Sequence, residues 1–276
     1  MDDSMIGRFL SELPMNHPER KRKTKPQLRR FLHHDKKIKL RELLGEGGEG
    51  VVYRVEIEGE TYALKLFERW VYRGRKSLGL HEKNQIMTAS FVHECRAFAR
   101  LDSMGENGTW AVKCHGWMKL SDDQIKSLGL WKLRHEYDRW AIVKDYIAEE
   151  LTLDHIPEIR RKMQIARKAL LWPSDIGPPN YRGSFLVDLG RVRTYPYVRR
   201  LWSDTSRREW FAHFDKYGTN WDICVRDGSI IETSVNERLK EYIAEAAEMR
   251  KKRQEELNQR RKPDATTSEH ISDKAM

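Results

Sequence analysis

Cysteine is scarce in this chain of 276 residues. Cys95, Cys114 and Cys224 are widely spaced and form no C-x-x-C pair. An odd, scattered set argues against a disulfide framework or a zinc site, and a reducing intracellular compartment is expected. Long apolar runs are missing too. No window approaches the roughly 20 apolar residues that span a bilayer, so no membrane helix is expected. The opening MDDSMIGRFLSEL is acidic at its front and lacks the apolar stretch of a secretory leader. Acids are outnumbered, 42 Asp and Glu against 52 Lys and Arg, giving a formal net charge of +10 and a pI near 9.4. That balance favours nucleic acid, nucleotides or phosphorylated proteins as partners, unless the excess lies in solvated tails, and it does not bear on fold.

What is present suffices for a core. Hydrophobic residues make up 39% and aromatics 10%, with nine Trp. The length suits one ordinary domain or two small ones. Between Arg20 and Arg41 stand eleven Lys and Arg against one acid, Asp35. The KRKTK at 21–25 suits nuclear import, a polyanion-binding arm or a plain solvated tail. Residues 1–35 are therefore expected as a basic flexible tail.

From Ile38 the chain reads as strands. IKLRELL, VVYRVEI and TYALKLF are short, rich in Val, Ile and Tyr, and separated by Gly-containing turns. Glu58-Gly59-Glu60 suits a hairpin turn. Apolar Phe91, Val92, Cys95, Phe98, Ala99 and Leu101 predict a helix through Met104. WAVKCHGWMKL and WAIVKDYI read as two further strands joined by the polar stretch 121–138. A second helix is predicted over Ile156–Trp172, with Pro157 tolerated in its first turn. WPSDIGPPNYRGSFLVDLGRV is turn-rich and holds a short strand. Helical pieces are expected around 203–217. A charged helix is expected over 235–262, losing its apolar face after Met249, and a disordered tail over 263–276.

The stretch GEGGEGVVYRVEIEGETYALKLF contains G-x-G-x-x-G. A dinucleotide-binding version would lead from a strand into a helix, whereas here the glycines lead into another strand. The other setting is a hairpin folded over nucleotide phosphates, extended to G-x-G-x-x-G-x-V and followed one strand later by A-x-K. Gly45, Gly47, Gly50, Val52, Ala63 and Lys65 fit it. Glycine lets the backbone approach phosphate oxygens and present N–H donors.

These residues resemble the N-lobe of the protein-kinase fold. The resemblance implies that Lys65 holds nucleotide phosphates and pairs with a helix glutamate, Glu94, with Glu82 as rival. WAIVKDYI resembles the strand entering the hinge, so Asp145 and Ile147 would border the adenine. Asp175 and Asn180 keep the separation of the catalytic-loop Asp and Asn, and Asp188-Leu189-Gly190 resembles the metal-binding D-F-G. Asp175 would be the base, and Asn180 and Asp188 would hold magnesium beside ATP. Each match alone has a plainer reading, a turn at 175–180 and a strand end at 188–190. The resemblance covers Ile38 to Val192. ALKLF, ECRAFARL, AVKCHG, RGSFLVDLG and TYPY are closest to kinase-like proteins of filamentous fungi, some grouped with an inner-kinetochore subunit family.

The implied fold is α+β, with an antiparallel-sheet N-lobe at 36–147 and a reduced, mostly helical C-lobe at 148–234. The pattern also departs from the kinase one. Pro173-Ser174 replaces the His-Arg before the catalytic Asp. Asp175 and Asp188 are 13 positions apart, which trims the intervening hairpin to YRGSFLV. No A-P-E follows, and Asp222 matches the helix-anchoring aspartate poorly. Lys144 stands before the hinge, where kinases place an uncharged side chain, so it must find a buried partner or turn away. Three functions follow: a pseudokinase or regulatory scaffold with residual Mg-ATP binding; an active atypical kinase using Asp175; or a nuclear nucleic-acid or kinetochore-associated module acting through its basic segments. A protein partner would meet the basic arm or the C-terminal helix. A nuclear or cytoplasmic site is expected.

Overall fold

The structure is a computed structural model that describes residues 6–18, 25–72, 82–129, 137–173 and 178–198, with Glu248 and Glu255. Asp175, Asp222, the helical pieces expected at 203–217 and the tail at 263–276 lie outside the described residues. So do the 235–262 helix, apart from those two glutamates, and KRKTK, apart from Lys25.

Seven strands form one mixed sheet: β1 (Leu10–Pro14), β2 (Leu28–Arg30), β3 (Lys39–Gly47), β4 (Gly50–Ile57), β5 (Glu60–Glu68), β6 (Cys114–Lys119) and β7 (Tyr137–Asp145). Their order is β1-β2-β6-β7-β5-β4-β3. Pairing is antiparallel from β6 to β3, while β1–β2 and β2–β6 are parallel. The expected antiparallel sheet is thus extended at one edge by residues taken for a flexible tail. The correction has a physical cause. Ile6, Leu10, Leu28 and Phe31 are buried and anchor the segment. Arg29 of β2 forms a two-pronged ion pair with Asp102, Nε–Oδ2 3.0 Å and Nη2–Oδ1 2.9 Å. Arg30 pairs with Glu12 at 2.6 Å.

The helices are α1 (Glu82–Gln85), α2 (Ser90–Met104), α3 (Asp122–Ser127) and α4 (Ile156–Lys168). Helix α2 buries Phe91, Val92, Glu94, Cys95, Phe98 and Leu101 on one face and ends at Gly105 with φ 77°, whose N–H caps Leu101 and Asp102 carbonyls. Helix α3, expected only as a polar connection, starts on a Ser121–Gln124 capping box. Gln124 also donates to the carbonyls of His34 (3.0 Å) and Lys36 (2.8 Å).

The sheet separates two apolar clusters. One, beneath α2, includes Phe67, Phe91, Phe98, Trp117, Trp140 and Ile142. The other includes Val51, Tyr53, Leu64, Leu66, Ala141 and Val143, covered by Ile125 and Leu128. Successive strand residues face opposite sides. Lys65, between Leu64 and Leu66, and Lys144, two after Ile142, therefore both face α2.

The predicted second helix stops at Lys168, because the chain turns into β8 (Leu171–Pro173), which pairs with β11 (Val192–Thr194). Between them β9 (Tyr181–Arg182) and β10 (Phe185–Leu186) form a hairpin. The described part of 148–198 holds one α-helix, two single helical turns and four short strands. Backbone bonds Val112 N to Leu186 O (3.0 Å) and Leu186 N to Trp110 O (3.3 Å) dock this unit on the first.

Candidate functional site

The glycine stretch is a hairpin. Gly45 pairs with Val52 and Gly47 with Gly50, closing a two-residue turn of Gly48 and Glu49. Gly50 is obligatory: its φ is 147°, and a Cβ there would stand 2.0 Å from the Leu66 carbonyl oxygen. Val52 lies opposite Lys65, and Ala63 lies opposite Lys144.

Lys65 is the centre of the site. Its Nζ donates to Glu94 Oε1, in a short contact, and to Asp188 Oδ1 at 2.8 Å. The choice between Glu94 and Glu82 is thereby made in favour of Glu94. Lys65 is 3% exposed and Glu94 fully buried, whereas the Asp188 side chain keeps 37% exposure. Burial lowers the pKa of the Lys65 ammonium, but Asp188, Glu94 and Glu49 outweigh it and leave it raised. Burial raises that of Asp188, and Lys65, Lys144 and the Gly190 N–H outweigh it and hold the carboxyl well below its ordinary range. Lys65 and Asp188 therefore face each other as a charged pair.

Lys144 points inward. Its Nζ lies 3.4 Å from Glu94 Oε2 and donates to the Val187 carbonyl at 2.8 Å. One helix glutamate thus serves two lysines, and a backbone oxygen beside Asp188 takes part of the second. A buried charge requires such partners.

Asn180 ends a helical turn, Pro178–Asn180, and its carbonyl accepts from Val187 N at 2.7 Å. The β9–β10 hairpin therefore sets Asn180 across the ladder from the residue preceding Asp188, although they are eight apart in sequence. Asp188 Oδ1 also accepts from Gly190 N at 2.8 Å. Asp145, at the end of β7, bonds His115 Nε2 at 2.5 Å, and Ile147 packs partly buried against the core. These two border the sheet rather than joining the ion cluster. Among the described residues no group of three or more His, Cys, Asp or Glu is arranged to hold a metal ion.

Sequence reasoning missed two charged members. Glu49 Oε1 accepts from Arg191 Nε at 2.9 Å, and its Oε2 lies 3.9 Å from Lys65 Nζ. Both occupy variable positions of their motifs, so no spacing singles them out. It also missed the anchoring of α2. His93 Nδ1 lies 2.8 Å from the Gly190 carbonyl and its Nε2 3.0 Å from the Tyr197 hydroxyl. A carbonyl cannot donate, so Nδ1 carries the proton. Arg96 donates to the Thr194 carbonyl at 2.8 Å and Arg100 to that of Tyr195 at 3.0 Å. The strand after Asp-Leu-Gly is thereby strapped to the helix that carries Glu94.

Among the described residues no helix is long and apolar enough to cross a membrane. No curated protein matches the chain. A family model described as kinetochore Sim4 complex subunit FTA2 matches residues 13–193, which span β2 to β10 and every member of the ion cluster. The chain belongs to the kinetochore Sim4 complex subunit FTA2 family.

Proposed function

We propose that this protein is a nuclear, kinetochore-associated scaffold built on a kinase-like fold, acting by binding protein partners rather than by catalysis. Family membership supports the kinetochore setting. The observation that carries the non-catalytic reading is the double use of Glu94. Lys65, Lys144 and Arg191 meet Glu94, Asp188 and Glu49, so the cluster is balanced without a ligand. A phosphate cradle in use needs positive charge to spare.

Mg-ATP binding is proposed as residual. Gly45–Gly50 and Lys65 would meet the phosphates, and the oxygen donors Asn180 and Asp188 would hold magnesium, a hard cation that takes oxygen ligands. The Lys65–Glu94 pair favours the second reading, an active kinase with Asp175 as base, because phosphoryl transfer requires that pair. The nucleic-acid reading is weaker. Arg29, Arg30, Lys39 and Arg41 of the basic run are engaged with Asp102, Glu12 and Glu56.

The test has two arms. The tagged protein should concentrate at kinetochores in dividing cells and co-purify with kinetochore proteins. The purified chain should transfer no γ-phosphate; transfer abolished by Asp175→Asn would overturn the scaffold reading in favour of the kinase.

A further inference from the structure

The glycine hairpin carries an acid at its tip. Glu49 turns back beneath the hairpin, with one oxygen on Arg191 and the other buried beside Lys65 without a hydrogen bond. A Cβ built on Gly190 would stand 1.8 Å from that second oxygen, so the carboxylate lies against the bare backbone of Asp-Leu-Gly. It is thus an anion set between a lysine and an arginine, on the lysine that the kinase-like reading assigns to phosphate.

We propose that Glu49 occupies the anion subsite formed by Lys65 and Arg191, as a built-in stand-in for a ligand phosphate, so that a polyphosphate binds only when the hairpin tip withdraws. This rests on the reading of the hairpin as a phosphate cradle and adds a gate to it. Two anions a few ångströms apart repel strongly at low local dielectric, so carboxylate and phosphate exclude one another. Burial, together with Asp188 and Glu94 and against the pull of Lys65 and Arg191, raises the proton affinity of Glu49, as expected of an acid held close to other acids. The tip has room to leave. Nothing lies within 4 Å of a Cβ built at Gly47 or Gly48. A cleft of about 200 Å³, lined in part by Gly48, Phe67, Trp70, Ser90 and Phe91, opens beside it. Gly47 and Gly48 give the turn freedom on the side before Glu49, whereas withdrawal must break the bond from Glu68 N–H to the Glu49 carbonyl, 3.0 Å.

The test is thermal unfolding of the full chain with sodium tripolyphosphate, Mg-ATP and adenosine, comparing wild type with Glu49→Ala. Tripolyphosphate should raise the Tm of the variant by about 2 °C or more. Its apparent Kd should be at least about tenfold tighter than for wild type, and adding Arg191→Ala should reverse most of that gain. Glu49→Gln, which keeps the bulk, carries the same expectation in direction and serves if the alanine variant folds poorly. Equal shifts in wild type and variant, or none in either variant, overturn the gate. The nucleotide reading is judged separately. If tripolyphosphate binds Glu49→Ala and Mg-ATP binds no tighter, the gate stands and the nucleotide reading falls. If Mg-ATP binds both proteins equally, the nucleotide reading stands and the gate falls.

Discussion

Lys144 Nζ lies 3.4 Å from Glu94 Oε2, on the carboxylate whose other oxygen holds Lys65. Two lysines on neighbouring strands are thus tied to one buried glutamate of α2. Removing one partner of a buried pair leaves an uncompensated charge, at a cost of about 3–5 kcal/mol. Glu94→Gln should lie at the upper end of that range, because it strands two cations. Lys144→Met should cost less, because Lys65 still neutralises Glu94. A double-mutant cycle from denaturant unfolding should give a coupling above about 1 kcal/mol; additive effects would mean that the contact carries no energy.

His93 should make stability depend on pH. Burial, with Arg96 and Arg193, depresses its pKa from 6.5 to about 4 despite the bond to Gly190. The unfolded state therefore binds more protons between these values, and stability rises with pH there. The contribution is full above about pH 6.5 and is lost as pH falls through about 4, on the order of 3 kcal/mol in total. Unfolding curves at pH 7, 6 and 5 should show a slope that His93→Gln flattens. An unchanged slope would place the titration elsewhere.

Gly50 and Gly48 should respond oppositely to alanine. At Gly50 the side chain meets the Leu66 carbonyl and a positive φ, whereas at Gly48 nothing lies within 4 Å. Gly50→Ala should cost about 2 kcal/mol or more, and Gly48→Ala should stay within about 0.5 kcal/mol. Chemical denaturation of the two variants decides it; similar losses would refute the close approach of β4 to β5.

Arg29 tests the place of the first strands. Its side chain is 8% exposed and doubly bonded to Asp102 of α2. Arg29→Met should destabilise by about 3 kcal/mol, and deleting residues 1–35 should lower the midpoint further. A deletion of no consequence would return the segment to the status of a tail.

The sequence was informative where structure is local. The Gly45–Gly50 hairpin, the Glu58–Glu60 turn and the apolar face of α2 follow from glycine chemistry and from periods of 2 and 3.6. Glu94 could be ranked above Glu82 because it falls on a regular helix. The direction of Lys144 could not be read. Its strand, β7, is buried on both faces over 140–144, so no alternation distinguishes the side facing α2 from the other.

The sequence by itself determined the glycine hairpin, the lysine strand and the basic character of the first 41 residues. Tertiary structure alone decided three things. It paired β1 with β2, and β2 with β6 nearly ninety residues away, both in parallel, which short segments among charges do not announce, because parallel pairing depends on distant partners. It turned Lys144 onto Glu94. And it set Glu49 against Lys65 and Arg191, an encounter of three separate segments whose charges become a site only once burial removes the water between them.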